Sequence, residues 1–257
     1  MTISAVTGRG QAVNSASHAS LAMSPSSALT VGKEIFAACV TDNVDTTDGA
    51  TSYHLVTDTH GHTWQKVFEE TETDGAAADG CTVSLWMTKV TTQIEITENI
   101  TNTYQGASNA AGIITCTECV VGAGMTLAWE PTAMARDSTD PSSVSLSGLT
   151  DREYLFFGLF GAEGNDNAKT PIANYTERFD ARSGSSSTAD VCIHVGTRIL
   201  TGTGDTWESS AITVTNALQT LTAFYEVAES APEPVRPKKM LIVPDVAQIA
   251  AVHASRI

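Results

Sequence analysis

Basic residues are scarce in this chain: 14 Lys and Arg stand against 29 Asp and Glu, for a formal net charge of −15. A body this acidic is repelled by nucleic acid and by anionic membrane surfaces, so neither is expected as a partner. Charged residues of both signs make up only 17% of the sequence, too few for exposed ion pairs to carry its stability. Long apolar runs are also missing, and nothing approaches the roughly 20 residues that cross a bilayer. The opening MTISAVTGRG lacks a basic region followed by an apolar run, so synthesis in a cytoplasm without a signal peptide is expected. An even cysteine set is absent too. Cys39, Cys81, Cys116, Cys119 and Cys192 are five in 257 residues, a length that needs no disulfide framework, and they are expected as reduced, mostly buried thiols.

Apolar stripes at helical spacing are lacking before the C-terminal end. What the chain has instead is short segments in which apolar and polar residues alternate between turn-rich stretches, the pattern of half-buried strands. The clearest run over Glu34–Thr41, Ser52–Asp58, Thr63–Glu69, Thr82–Val90, Ile94–Ile100, Ser143–Leu146, Glu153–Phe160, Val191–Ile199 and Leu218–Val227. A hairpin connection is expected at Asp58-Thr59-His60-Gly61-His62, with Gly61 free to take positive φ. Loops are expected at Asp42–Ala50, Thr71–Gly80, Gly161–Thr170 and Ser183–Thr188. No repeat stands out at a solenoid or propeller period.

The character changes at Glu229-Ser-Ala-Pro-Glu-Pro-Val-Arg-Pro, where three prolines in six residues impose an extended connector. The expected organisation is an all-β body over residues 1–230, an antiparallel jelly-roll-like β-sandwich with a less regular strand near its start. A short extended or helical arm follows over residues 231–257. Four of the basic residues but two of the acidic ones lie in that arm. Arg236, Lys238, Lys239, Met240, Leu241, Ile242 and Val243 are its candidate assembly residues, since a segment with so little apolar surface orders only against another surface.

Constellations that could carry chemistry are few. Cys116-x-x-Cys119 has the spacing of half a zinc or redox site, but no second pair follows, and in a strand residues three apart face opposite sides. His54, His60 and His62 fall within nine residues without a carboxylate fixed beside them, and read more simply as turn histidines. Asp42, Asp45 and Asp48, with Asn43, offer oxygen ligands at spacings loosely like a calcium loop, against the plain reading of a solvated loop tip. No nucleophile elbow, opposed carboxylate pair or phosphate loop is singled out, so an enzyme is not expected and no cofactor is implied apart from the calcium candidate. Trp64 and Trp86, on successive strands, are expected between layers.

The segments VGKEIFAACVTDN, LVTDTHGHTWQKVFEE, VSLWMTKV and VSLSGLTDREYLFFGLFGAEG together resemble β-sandwich proteins of tailed-bacteriophage structural modules. The shared features are a V-x-D-x-x-G-x-T-W turn, an S-L-W/Y strand and an S-G-L-T-x-R-E-Y-L strand entrance. The resemblance implies a virion component displayed on the capsid or tail, a decoration or minor structural protein. Other virion proteins are then its partners, and homo-oligomers its expected state. It brings no catalytic residues. The alternative from another class is a carbohydrate-binding adhesion module that contacts a host glycan through loops Asp42–Ala50 and Thr71–Gly80 and exposed aromatic rings.

Overall fold

The computed structural model describes residues 3–16, 18–42, 49, 53–73, 80–105, 111–137, 143–164, 174–184, 190–209 and 215–229. Every regular element among them is a β-strand, and every strand pairing is antiparallel. The all-β expectation is therefore met. Asp45, Asp48 and the arm residues Arg236, Lys238, Lys239, Met240, Leu241, Ile242 and Val243 lie outside the described residues.

The first half of the chain supplies β1 (Ser4–Asn14), β2 (Ser20–Met23), β3 (Glu34–Asp42), β4 (His54–Asp58), β5 (Gln65–Thr73), β6 (Gly80–Lys89), β7 (Ile100–Tyr104) and β8 (Gly112–Val120). They form a five-stranded sheet, β1-β8-β3-β6-β5, and a three-stranded one, β2-β7-β4. The second half supplies β9 (Met125–Trp129), β10 (Ala133–Asp137), β11 (Val144–Leu146), β12 (Arg152–Glu163), β13 (Thr176–Arg182), β14 (Val191–Gly202), β15 (Asp205–Trp207) and β16 (Thr215–Ala228). Here the large sheet runs β10-β16-β12-β14-β13, with β9 also on β16, and β11 pairs β15.

The two halves follow one plan. Replace β1 by the interrupted pair β9 and β10, then β8, β3, β6 and β5 by β16, β12, β14 and β13, and the first large sheet becomes the second. The β2-β7 pair likewise becomes β11-β15. Register supports the match: Ala37 faces Trp86 and Cys116 on its two neighbours, and Gly158 faces Gly196 and Leu221. The period is about half the chain, far outside the range of solenoid repeats.

The large sheets face each other across a single core built from both halves, with Phe36, Val40, Val83 and Leu85 on one side and Phe157, Leu159, Ile193 and Phe224 on the other. The Phe36 ring lies 5.2 Å from Phe157 and 4.8 Å from Phe224, centroid to centroid. Each such side chain contributes roughly 1.5–3 kcal/mol by leaving water. The outer faces are covered as well. Ile35, Ala37, Cys39 and Trp86 pack under the small β2-β7-β4 sheet, and Tyr154, Phe156 and Leu221 under β11-β15 with Trp207. All nine residues of β3 are buried for this reason, which explains a strand that reads EIFAACVTD without clean alternation.

One expected strand shifts. Ile94 makes only an isolated bridge to Leu29, Ile96 is exposed, and a turn closed by Glu98 N–H donating to Glu95 O (3.0 Å) intervenes before β7 starts at Ile100. The alternation of Ile94 and Ile96 belongs to a connector with one anchored residue.

Candidate functional site

Among the described residues, two of the grooves where an edge of one half meets the other half occupy matching places. The first, about 370 Å³, is lined by Gln65 of β5, Met87 and Lys89 of β6, Glu34 of β3, and Thr126 and Leu127 of β9. The second, about 560 Å³, is lined by Thr176 and Arg178 of β13, Thr197 and Arg198 of β14, and Ala5 and Val6 at the start of β1. By register Gln65 pairs with Met87 as Thr176 pairs with Thr197, so the grooves occupy corresponding places in the repeated plan. Their chemistry differs.

Glu34 faces inward on the same side of β3 as Phe36 and is fully buried. Its Oε1 accepts a hydrogen bond from Thr126 Oγ1 at 2.7 Å, while Oε2 has no hydrogen-bond partner. Burial pushes its carboxyl above the usual range against the opposing pull of the Thr126 hydroxyl and the Lys89 charge. Lys89 donates to Met125 O at 2.7 Å and pairs with Glu229.

In the second groove Arg178 Nε donates to Thr197 Oγ1 at 2.7 Å. Burial lowers the guanidinium from its ordinary value, and no carboxylate among the described residues pairs with it. Arg198, beside it, is neutralised by Asp205, whose oxygens accept from Nη1 at 3.0 and 3.2 Å. Arg178 is the extra residue of a β-bulge: Glu177 faces Gly196 and Phe179 faces the next residue, Val195. A bulge re-aims the side chain it carries.

Of the residues singled out from sequence, His62 lines the first groove, while His54, His60, Asp42, Cys116 and Cys119 line neither. Two of the three histidines meet: the His60 and His62 rings lie 6.1 Å apart, centroid to centroid, while His54 stands apart at the start of β4. His54 is buried, with Nδ1 2.6 Å from Ser84 Oγ and Nε2 2.9 Å from Thr41 Oγ1. Burial outweighs the nearby Glu69 charge and lowers its pKa to about 4. His62 Nε2 accepts the Thr92 N–H at 3.1 Å, which leaves Nδ1 carrying the proton that it donates to Asp58 Oδ1 at 2.9 Å. Asp58 also accepts from His60 N–H at 2.8 Å and from Trp64 Nε1 at 2.7 Å. Burial raises its carboxyl, but these donors together outweigh that and hold it below the usual range. Gly61 takes φ 70° at the turn. The expected hairpin does not form, since β4 pairs with β7 and β5 with β6 in another sheet; the V-x-D-x-x-G-x-T-W pattern is a clasp on the turn that carries the chain between those sheets, where aspartate gathers the donors and glycine permits the turn. His60 pairs with Glu98 at 2.9 Å.

Asp42 is buried at the end of β3 opposite Cys81. No group of three or more His, Cys, Asp and Glu side chains poised for a metal occurs among the described residues. Cys116 packs in the core under the small sheet and Cys119 in the core between the large sheets, so the two cannot share a ligand. Trp86, Tyr104, Tyr154, Tyr175 and Trp207 are buried. Glu34 and Arg178 carried no motif in the sequence. The one trace of Glu34 is an acid opening an otherwise apolar strand, and nothing distinguishes Arg178 until strand register places it in a bulge.

Set against protein-family models, curated proteins and solved structures, the chain matches none. What the two grooves offer chemically is fixed donors and acceptors, the Glu34 carboxyl with the Thr126 hydroxyl in the first and the Arg178 guanidinium with Thr197 in the second.

Proposed function

We propose that this chain is a non-enzymatic structural component of a tailed-phage particle, a decoration or minor protein on the capsid or tail, fastened by residues 231–257. The observation that carries the reading is the doubled body. Two halves of one strand plan share a single core, which makes a stiff, mostly β block suited to repeated display. We read each half as a jelly roll: β1-β8-β3-β6 with β2-β7-β4 beside it, and β16-β12-β14 with β11-β15 beside it, follow the strand order of that roll. The phage-like segments described from sequence fall on β3, β4, β5, β6, β11 and β12, where they set packing and turns. The basic, proline-led arm complements the acidic body of a neighbouring copy or another acidic particle surface, and many weak attachments in an array sum by multivalency.

The test compares the full chain with a truncation ending at Ser230 by light scattering and by co-sedimentation with purified particles. The reading predicts that both fold and only the full chain associates. Equal behaviour in both assays contradicts it. A second reading, a carbohydrate-binding module on the particle, draws support from the polar groove at Arg178 and not from aromatic rings, since the rings named above are buried.

A further inference from the structure

We infer that the groove between the start of β1 and the β13–β14 pair binds a carboxylate-bearing saccharide, with the Arg178 guanidinium receiving the carboxylate. The inference names a ligand class for the second reading and is independent of the particle reading.

The fold does not require an arginine at this position. The corresponding bulge in the first half carries Val67, with Lys66 facing Trp86 and Phe68 facing Leu85, and it forms the same turn of backbone without a charge. The guanidinium therefore serves something other than the bulge. Its Nε is held by Thr197, which fixes the plane of the group and leaves the two terminal nitrogens as a fork of donors, the geometry that receives a carboxylate end-on. Arg9, Arg136 and Arg198 each pair with an acid of the chain. In a protein with 29 acidic residues, Arg178 forms no ion pair with any of those described.

The surroundings fit a sugar ring. Asn174 and Thr176, both exposed, bring an amide and a hydroxyl, while half-buried Ile199 gives an apolar edge for its C–H face. The volume falls within the range of small-ligand sites, about 300–1,000 Å³. Ala5 and Asn174, both lining this groove, account for two of the three non-glycine positive-φ residues described, and such backbone concentrates at binding sites. The net charge of −15 opposes long polyanions and favours a ligand with few charges.

The test is a titration of isotope-labelled full chain, followed by amide chemical shifts, with methyl glucuronide, methyl glucoside and inorganic phosphate as probes. Expected are saturable shifts with the glucuronide at Val6, Thr176 and Thr197 and none at Gln65, Met87 and Leu127, with the glucoside silent and phosphate weaker. Arg178→Val, which installs the residue that the other half already uses, should weaken glucuronide binding at least about tenfold, with Arg178→Lys intermediate. Absence of saturable glucuronide shifts overturns the inference, and phosphate binding as tightly at the same amides overturns its saccharide part. Glucoside binding at other amides overturns this groove as the site while leaving the carbohydrate-binding reading in place.

Discussion

Val67 and Arg178 are the extra residues of two bulges that stand at the same place in the two halves, each followed by a phenylalanine, Phe68 or Phe179, packed on the shared core. One bulge carries an apolar side chain and the other a cation, so the backbone feature belongs to the fold and the charge to one groove. Arg178→Val should therefore change stability by less than about 1 kcal/mol. Urea denaturation beside the parent protein checks this.

Trp207 fills the space that two missing side chains leave. A Cβ on Gly158 would come within 2.2 Å of its ring and one on Gly196 within 2.4 Å. Gly158→Ala is expected to destabilise by about 1–3 kcal/mol through overpacking, and Trp207→Ala by about 3–5 kcal/mol through the cavity it opens. The double variant should cost less than the sum, because the added methyl then meets empty space. A double-mutant cycle by urea denaturation reads the coupling.

His54 makes stability fall on acidification. Its folded pKa of about 4 lies below the ordinary 6.5, so between those values the unfolded chain binds the extra proton. This contribution is complete above pH 6.5 and is lost as pH drops toward 4, by roughly 3 kcal/mol in all. Glu34, held above its ordinary value, acts in the opposite sense above pH 4.5. Denaturation midpoints at several pH values should show a shallower slope over this window in His54→Gln than in the parent.

None of the five cysteines is in a disulfide, and all are buried. Burial pushes the Cys116 and Cys119 thiols up to about 12 and raises those of Cys39 and Cys81, which suppresses the reactive thiolate. A thiol-specific chromogenic reagent should modify fewer than one cysteine per folded chain and all five after denaturation.

Much of the strand content was legible because β3, β5, β6, β12, β14 and β16 carry apolar runs bounded by turn residues. β8 carries no such signal, since in GIITCTECV both faces are covered and polar residues are buried beside apolar ones. β9, β10 and β13 are short or edge strands whose mixed residues carry little periodicity. The doubled plan was invisible because corresponding positions share a place and not an identity: Ala37 and Trp86 answer to Gly158 and Gly196, and the indole over that spot comes from β6 in one half and from β15 in the other. The calcium candidate and the arm rested on residues outside those described, Asp42 apart. The grooves depend on register between distant segments, which no local pattern records.

One body of two like halves around a common core is tested most directly by calorimetry of a chain ending at Ser230. A shared core predicts a single transition in which calorimetric and van't Hoff enthalpies agree. Two separable transitions, one for each half, would contradict it.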